Sequence, residues 1–222
     1  MSNKIMLLSF LVFAVAGLAL APVMAQPAGG EVDIGASERG EGTAADTVIA
    51  EGGNVTQVNV SGTSITGRWA GFWGTISGGI ALSDASNNSF YEWTVSDVTG
   101  SVVYAADGSV SDWTTVTAAS SSDQITFVDE PATDNFTNTF TGTDDFSSAS
   151  IATIPSVPVA TTLQNDSSTN LRTFALMAGS TRLFAAVADA GEVGFNSETV
   201  DYQLLAPADS GTVTYTFYLE LP

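Results

Sequence analysis

Residues 212–222 have the sequence Thr-Val-Thr-Tyr-Thr-Phe-Tyr-Leu-Glu-Leu-Pro, and this stretch decides the fold class of the 222-residue chain. Large apolar side chains occupy every second position in it: Val213, Tyr215, Phe217, Leu219 and Leu221. Threonines and Glu220 fill most of the positions between them. Successive side chains of a strand point to opposite faces, so this period of two predicts a β-strand with one buried side.

The same period recurs along the chain. It is clear in Tyr91-Glu-Trp-Thr-Val95 and in Val200-Asp-Tyr-Gln-Leu204. Weaker runs lie at residues 58–60, 76–82, 102–104, 125–127, 136–140, 171–177 and 183–187. About ten short strands joined by turn-forming clusters predict an all-β fold, an antiparallel β-sandwich of jelly-roll or Ig-like type. Residues 171–188 also fit a helical period, and the strand interpretation is preferred there.

The composition excludes most enzyme classes. The chain has no histidine and no cysteine, and its single lysine is Lys4. Disulfides, thiolate nucleophiles, cysteine zinc sites and histidine triads are therefore excluded. A glycosidase would need two facing carboxylates, for which the acids considered are Glu92, Asp97, Glu130, Glu192 and Glu198. No sequence spacing selects two of them, so the chain is predicted not to be an enzyme.

The first 25 residues have the pattern of a secretory signal peptide. Lys4 precedes an apolar run over residues 5–20, and Pro22-Val-Met-Ala25 offers suitable residues for cleavage after Ala25. The run is shorter than the roughly 20 residues that span a bilayer. The sequence therefore predicts a secreted protein, extracellular or on the cell surface, with no membrane insertion once residues 1–25 are removed.

Residues 26–45 differ from the rest because Gly, Ala and Glu dominate them, and they form most of an arm that is predicted to extend over residues 26–53. Such a segment cannot offset ordering its backbone at roughly 1–2 kcal/mol per residue, so it is predicted to be a flexible arm before a sandwich domain at 54–222. Two interpretations are open: a frayed terminus, or a donor strand that adds to the open sheet edge of a neighbouring copy and so builds filaments. The predicted anchors of the donor strand are Val48, Ala50, Val55, Val58 and Val60.

The charge balance is strongly acidic, with 24 acidic residues against 5 basic ones and a net charge of −19. This charge repels nucleic acid, and it repels other copies of the protein unless salt or divalent cations screen it. No cofactor is predicted apart from candidate calcium on the acidic loops, because calcium prefers oxygen ligands. The candidate ligands are Asp84, Asn88, Asp107, Asp112, Asp144 and Asp145.

Aromatic residues and sequons are candidate surface features. Trp69 and Trp73 would share one face of a strand, as a stacking platform for polysaccharide or as core anchors. Trp113 follows Asp112 in a turn-rich stretch and is predicted on the surface, whereas Trp93 is predicted in the core. The Asn-x-Ser/Thr sequons predict glycosylation at Asn54, Asn59, Asn87, Asn135 and Asn165.

Five runs carry a resemblance to known proteins: Trp69-Ala-Gly-Phe-Trp-Gly74, Tyr91-Glu-Trp93, Gly100-Ser-Val-Val-Tyr104, Asp201-Tyr-Gln-Leu-Leu205 and Tyr215-Thr-Phe-Tyr-Leu-Glu-Leu221. They resemble runs in secreted β-rich surface proteins of archaea. The layout of leader, arm and sandwich is similar to that of archaeal extracellular filament subunits assembled by donor-strand complementation. This resemblance implies a structural subunit of a filament or cell-surface lattice, whose partners are copies of itself. The alternative is a secreted carbohydrate-binding or adhesive module.

Overall fold

The computed structural model describes residues 27–119, 133–145, 162–168, 170–208 and 211–222. Its strands are β1 (Ala28–Gly29), β2 (Trp69–Gly74), β3 (Gly79–Ser83), β4 (Ser89–Thr94), β5 (Val102–Ala106), β6 (Val116–Ala118), β7 (Gly142–Asp145), β8 (Thr162–Asn165), β9 (Thr173–Ala178), β10 (Thr181–Val187), β11 (Glu192–Val193), β12 (Thr199–Val200), β13 (Tyr202–Pro207) and β14 (Thr216–Glu220). A 3₁₀ turn lies at Trp113–Thr115 and a four-residue helix, α1, at Phe136–Thr139. The described strand pairs are antiparallel, so the all-β, antiparallel prediction is confirmed.

The larger sheet has eight strands in the order β1-β14-β5-β10-β9-β8-β7, with β6 also pairing with β9. β9 and β10 form a hairpin in which Ala178 pairs with Thr181. Gly179 lies in its turn at a φ of 61°, a backbone conformation that suits glycine. Residues 173–178 and 181–187 are therefore strands, as the sequence analysis preferred.

The strand β5 is buried on both faces at the centre of the sheet. Val102, Tyr104 and Ala106 belong to one core cluster, and Val103 and Ala105 belong to another on the opposite face. The first core also contains Trp113, Val116, Leu163, Phe174, Leu176, Leu183 and Ala185. The second core also contains Ala119, Phe136, Phe140, Ala175, Phe184, Ala186, Leu204 and Ala206.

A second layer covers the second core and consists, in the described residues, of a two-stranded ribbon formed by β2 and β13. Its register runs from Trp69 opposite Pro207 to Gly74 opposite Tyr202. The buried Thr173 hydroxyl of β9 accepts a hydrogen bond from the Leu205 amide at 2.9 Å and so ties the ribbon to the larger sheet. The ribbon is narrow compared with the sheet that it faces.

Residues 31–66, here called the arm loop, leave the body after β1 and return to it before β2. Every residue of the arm loop is exposed, and none belongs to a strand. The chain reverses at Glu51, whose carbonyl accepts from the Asn54 amide at 3.2 Å. The two limbs meet where the Thr43 amide donates to the Thr63 carbonyl at 2.9 Å. Residues 58–60, predicted as a strand, therefore form no strand in the structure and have no described ladder partner.

The structure corrects two further predictions of strands. Residues 136–140 contain α1, because the Asn135 side chain caps the Asn138 amide and places Phe136 and Phe140 on one buried side. The two rings stack with their centroids 4.8 Å apart. Side chains four residues apart in sequence lie on the same side of a helix, so this contact suits a helix. The run at 76–82 becomes a strand only from Gly79 onward. The run predicted at 125–127 lies outside the described residues.

Candidate functional site

The predicted donor-strand residues all lie on the arm loop. Val48 and Ala50 are on its outgoing limb, and Val55, Val58 and Val60 are on its returning limb, beyond the turn at 51–54. They are therefore divided between two limbs instead of forming one continuous strand. Val55 and Val60 are fully or almost fully exposed, at 102 % and 90 %, so they gain nothing from burial against the body of their own chain. Val48 and Val58 are 60 % and 51 % exposed.

The arm loop joins the body at a cluster around Asp134. The Trp69 indole Nε1 donates to the Asp134 carbonyl at 2.6 Å, and the Thr66 hydroxyl donates to its carboxylate at 2.5 Å. The Arg68 guanidinium lies 3.5 Å from the same carboxylate. Trp69 also packs on Phe140, with ring centroids 5.7 Å apart, so its ring anchors the root of the arm loop and is not an open stacking platform.

One edge of β2 carries no strand partner within the residues that the structure describes. The Ala208 amide donates to the Arg68 carbonyl at 2.6 Å, so Arg68 and every second residue after it bond toward β13. Trp69, Gly71 and Trp73 consequently direct their backbone amide and carbonyl groups to the other edge. This edge is uncharged, since β2 has the sequence Trp-Ala-Gly-Phe-Trp-Gly.

Apolar side chains lie beneath that free edge. Phe72 points into the second core, where its ring contacts Tyr215 at 5.9 Å and Phe217 at 5.2 Å between centroids. Phe217 and Leu219 of β14 pack on the second core while remaining partly exposed. The ribbon therefore leaves part of the apolar face of the sheet uncovered on the β14 side.

The structure places Trp113 in the core, so its predicted surface position is wrong. The Asp112 side chain caps the Thr114 amide and starts the 3₁₀ turn, which directs Trp113 inward. Trp113 is 4 % exposed, and its ring lies 5.0 Å from Tyr104 and 5.1 Å from Tyr218 between centroids. The core position predicted for Trp93 is also wrong: its side chain is half exposed.

Trp73 remains as a surface aromatic, 42 % exposed, and it contacts a second exposed ring that the sequence analysis missed. Phe195 is 72 % exposed, with its ring centroid 5.7 Å from that of Trp73. The Phe195 amide donates to the Gln203 side chain at 2.9 Å, which fixes the turn that carries the ring. Beside it lies an open depression of about 300 Å³ that Asn170, Leu171 and Gln203 help to line.

The candidate calcium ligands are dispersed. Asp107 and Asp144 form ion pairs with Arg182 and Arg172 respectively, while Asp112 caps a turn. Asp145 lies in β7. In the described ranges, no group of three or more acidic residues could hold a metal ion.

Asp84 and Asn88 alone among these candidates share one turn. The Asp84 carboxylate accepts from the side-chain amide of Asn88 at 2.8 Å and from the backbone amides of Asn88 and Ser86, each at 2.9 Å. These bonds, that of the Asn88 side chain first, lower the pKa of Asp84 below its ordinary value. The same hydrogen bonds show that the Asp84 side chain stabilises a tight turn. Calcium binding here remains a prediction.

The sequons have different accessibility. Asn54 and Asn59 are exposed on the arm loop, and Asn87 is exposed in the β3–β4 turn. Asn135 caps α1 through its side chain. Asn165 is 3 % exposed and its side-chain oxygen accepts from the Ser167 amide at 2.9 Å, so the folded chain does not present this asparagine for glycosylation.

The acids considered for a glycosidase do not form a described pair. Glu92 and Asp97 are exposed, whereas Glu192 accepts from Asn170 and Glu198 accepts from Asn196. Glu130 lies outside the described residues. The absence of enzymatic activity stays a prediction.

The described fold is an antiparallel all-β body with an exposed arm loop. No family model, curated protein or solved structure matches the chain. In the described part, the helices are too short or too polar to cross a membrane.

Proposed function

We propose that this protein is a structural subunit that assembles outside the cell, and that the arm loop of one copy adds a strand to the free β2 edge of a neighbour. The observation that carries this proposal is the exposure of every residue from 31 to 66. A long segment outside any strand, with exposed valines and isoleucines, gains stability when another surface covers it. An uncharged strand edge with backbone groups directed outward is the surface that such a segment suits.

The returning limb has the better alternation for insertion. Val58 and Val60 point to one side of an extended chain, whereas Gln57, Asn59 and Ser61 point to the other. With the valines directed onto Phe72 and Phe217, Asn59 faces solvent, where a glycan would not obstruct the contact. Each backbone hydrogen bond of the added strand contributes about 0.5–1.5 kcal/mol net.

Pairs of variants on the two sides of this limb test the proposal. Val58→Asp/Val60→Asp places two charges on the inserted side, and we expect it to reduce the yield of polymer at least tenfold in negative-stain micrographs and sedimentation. The matched control is Gln57→Asp/Ser61→Asp, which adds the same charge on the solvent side and should polymerise. Equal polymerisation of both variants would contradict insertion of this limb.

The acceptor is tested by a complementation experiment. Gly71→Pro removes a backbone amide that points away from β13, so it should block the free edge while leaving the ribbon intact. We expect Gly71→Pro and Val58→Asp/Val60→Asp each to remain monomeric alone. A mixture should give heterodimers, because one variant supplies the arm loop and the other supplies the edge. A mixture that stays monomeric would argue against the β2 edge as the acceptor.

A second candidate function is carbohydrate binding, supported by the exposed Trp73–Phe195 pair beside the depression. Rigid aromatic rings next to amide side chains suit a sugar ring, which stacks through its apolar face and hydrogen-bonds at its rim. Glu192 and Glu198 lie in the same loop region and favour a neutral sugar over an anionic one. Trp fluorescence titrated with neutral hexopyranose oligosaccharides should shift for the native chain and for Phe90→Ala, an exposed aromatic elsewhere, but not for Phe195→Ala.

A further inference from the structure

The β3–β4 hairpin is a second uncovered apolar element, separate from the arm loop. Its strands pair only with each other in the described part of the chain, and each of their residues is exposed. A two-stranded hairpin alone is marginally stable in water. Its turn is nevertheless closed by several hydrogen bonds, since the Asp84 amide donates to the Asn88 carbonyl at 3.0 Å in addition to the side-chain bonds described above.

One face of this hairpin is mainly apolar. Ile80 pairs with Trp93 and Leu82 pairs with Tyr91, so these four side chains, here called the hairpin face, lie on the same side. The rings of Tyr91 and Trp93 are in contact, with centroids 4.8 Å apart. Each of the four side chains is between 47 % and 56 % exposed. Exposed apolar patches of this kind mark interaction sites.

The charged residues of the hairpin lie elsewhere. Glu92 is opposite Ala81 and therefore projects from the other face, and Asp84 is in the turn. A partner recognised through charge would need charged groups on the hairpin face, and it has none. For a chain of net charge −19, an uncharged apolar face is where a second copy can approach with the least electrostatic cost.

We propose that the hairpin face docks against the same face of a second copy, as a lateral contact between neighbouring molecules. Two such faces can pack as a small pair of sheets related by a two-fold axis, with sheet spacing near 10 Å. This contact uses a surface distinct from the arm loop and the β2 edge, and it does not depend on strand exchange.

The contact is weak when it acts alone. Half-exposed side chains of this size present on the order of 100 Å² each, so two faces bury about 800 Å² in total. Stable interfaces bury about 1,200–2,000 Å². The hairpin contact should therefore form at high protein concentration, and it should become strong when many copies are already held side by side.

Cysteine cross-linking tests this contact directly, because the full chain has no cysteine of its own. Under mild oxidation we expect Leu82→Cys to give disulfide-linked dimers on a non-reducing gel. Ala81→Cys, the neighbouring position on the opposite face, is the matched control and should give at least fivefold fewer. Equal dimer yields from both variants, or dimers from neither, would overturn the proposal.

A solution measurement separates this contact from arm exchange. Leu82→Cys combined with Val58→Asp/Val60→Asp should still cross-link, since the hairpin contact needs no arm loop. The apparent mass of the native chain in sedimentation should increase with protein concentration. Trp93→Asp should abolish this increase, whereas Thr94→Asp, a change on the other face of the hairpin, should retain it. Loss of cross-linking in the arm variant would show that the hairpin contact is not independent. If Trp93 emission shifts on adding lipid vesicles and no cross-linked dimer forms, the partner of the hairpin face is a membrane surface and the proposal of a second copy is wrong.

Discussion

At the scale of single residues, the most unusual group is a carboxyl inside the protein. The Tyr104 hydroxyl donates to the Glu220 carboxylate at 2.6 Å, and Glu220 is 9 % exposed. Burial raises the pKa of Glu220, and the hydrogen bond from Tyr104 opposes this effect. Burial, followed by the negative charge of Glu220, raises the pKa of Tyr104. The pair links the adjacent strands β5 and β14 on the face of the sheet that the first core covers.

The raised pKa of Glu220 determines whether its contribution to stability rises or falls with pH. The contribution of this group is most favourable below its ordinary pKa of 4.5 and is lost as pH rises through the higher folded value. Glu220→Gln keeps an acceptor for Tyr104 and removes the charge. We therefore expect the free energy of unfolding of this variant, relative to that of the native chain, to be higher at pH 7 than at pH 4. Urea unfolding at both values measures the difference.

The control for this prediction is Glu220→Ala, which leaves the buried Tyr104 hydroxyl without its acceptor. We expect it to lower the free energy of unfolding by about 1–3 kcal/mol at either pH. A Gln variant that tracks the native chain at both values would show that Glu220 does not titrate differently in the folded state.

At the scale of elements, alternation of apolar and polar residues predicted where many strands lie, but it did not predict which strand faces are covered by other elements. The pattern at β4 and the pattern at β14 are alike, yet Phe217 packs in the second core while Trp93 is half exposed. The difference arises from long-range packing: β2 lies over β14, and no described element lies over the hairpin face. β14 also buries Glu220 on its other side, so the predicted single buried side was too simple.

The candidate sites show the same division between local and long-range information. The exposure of Val48 and Ala50 agrees with their glycine- and acid-containing surroundings, which are local. The surroundings of Val55, Val58 and Val60 are strand-like, and local sequence did not indicate their exposure. The inward position of Trp113 depends on a cap and on rings from β5 and β14, which sequence spacing does not show. Phe195 was missed because an isolated aromatic in a turn carries no periodic signal. The cap at Asn135 was a readable helix signal.

The tie between the two layers gives a prediction at this scale. Thr173→Val preserves the shape of a buried side chain but leaves the Leu205 amide without its acceptor. We expect the free energy of unfolding to fall by about 1–3 kcal/mol. Thermal unfolding monitored by circular dichroism measures it, with Thr173→Ser as the control because serine keeps the hydroxyl. An equal loss for both variants would assign the effect to packing instead.

At the scale of the whole molecule, charge opposes the proposed assembly. The acids of the arm loop are Glu31, Asp33, Glu38, Glu41, Asp46 and Glu51, and its basic residue is Arg39. An acidic loop must approach an acidic neighbour, so the interaction should strengthen as the ionic strength rises. The two surfaces proposed to receive a neighbour, the β2 edge and the hairpin face, carry no charged residue.

We therefore expect light scattering to increase with sodium chloride and, at equal ionic strength, to increase further with calcium. Screening accounts for the first effect, and oxygen ligands such as those of the Asp84 turn would account for the second. Scattering that stays flat across a salt series and an EDTA-to-calcium titration would contradict the electrostatic argument. If scattering responds to salt but not to calcium, the screening explanation stands and the prediction of calcium binding is wrong.

The arm loop returns to its own body at both ends, through the pairing of β1 with β14 and through β2. A neighbour that holds the loop would consequently pull on two places at once. Tension along a chain of such molecules would be divided between two attachment points, one at β1 and one at β2. Peeling one attachment would leave the other intact, so this arrangement favours a fibre that resists mechanical rupture.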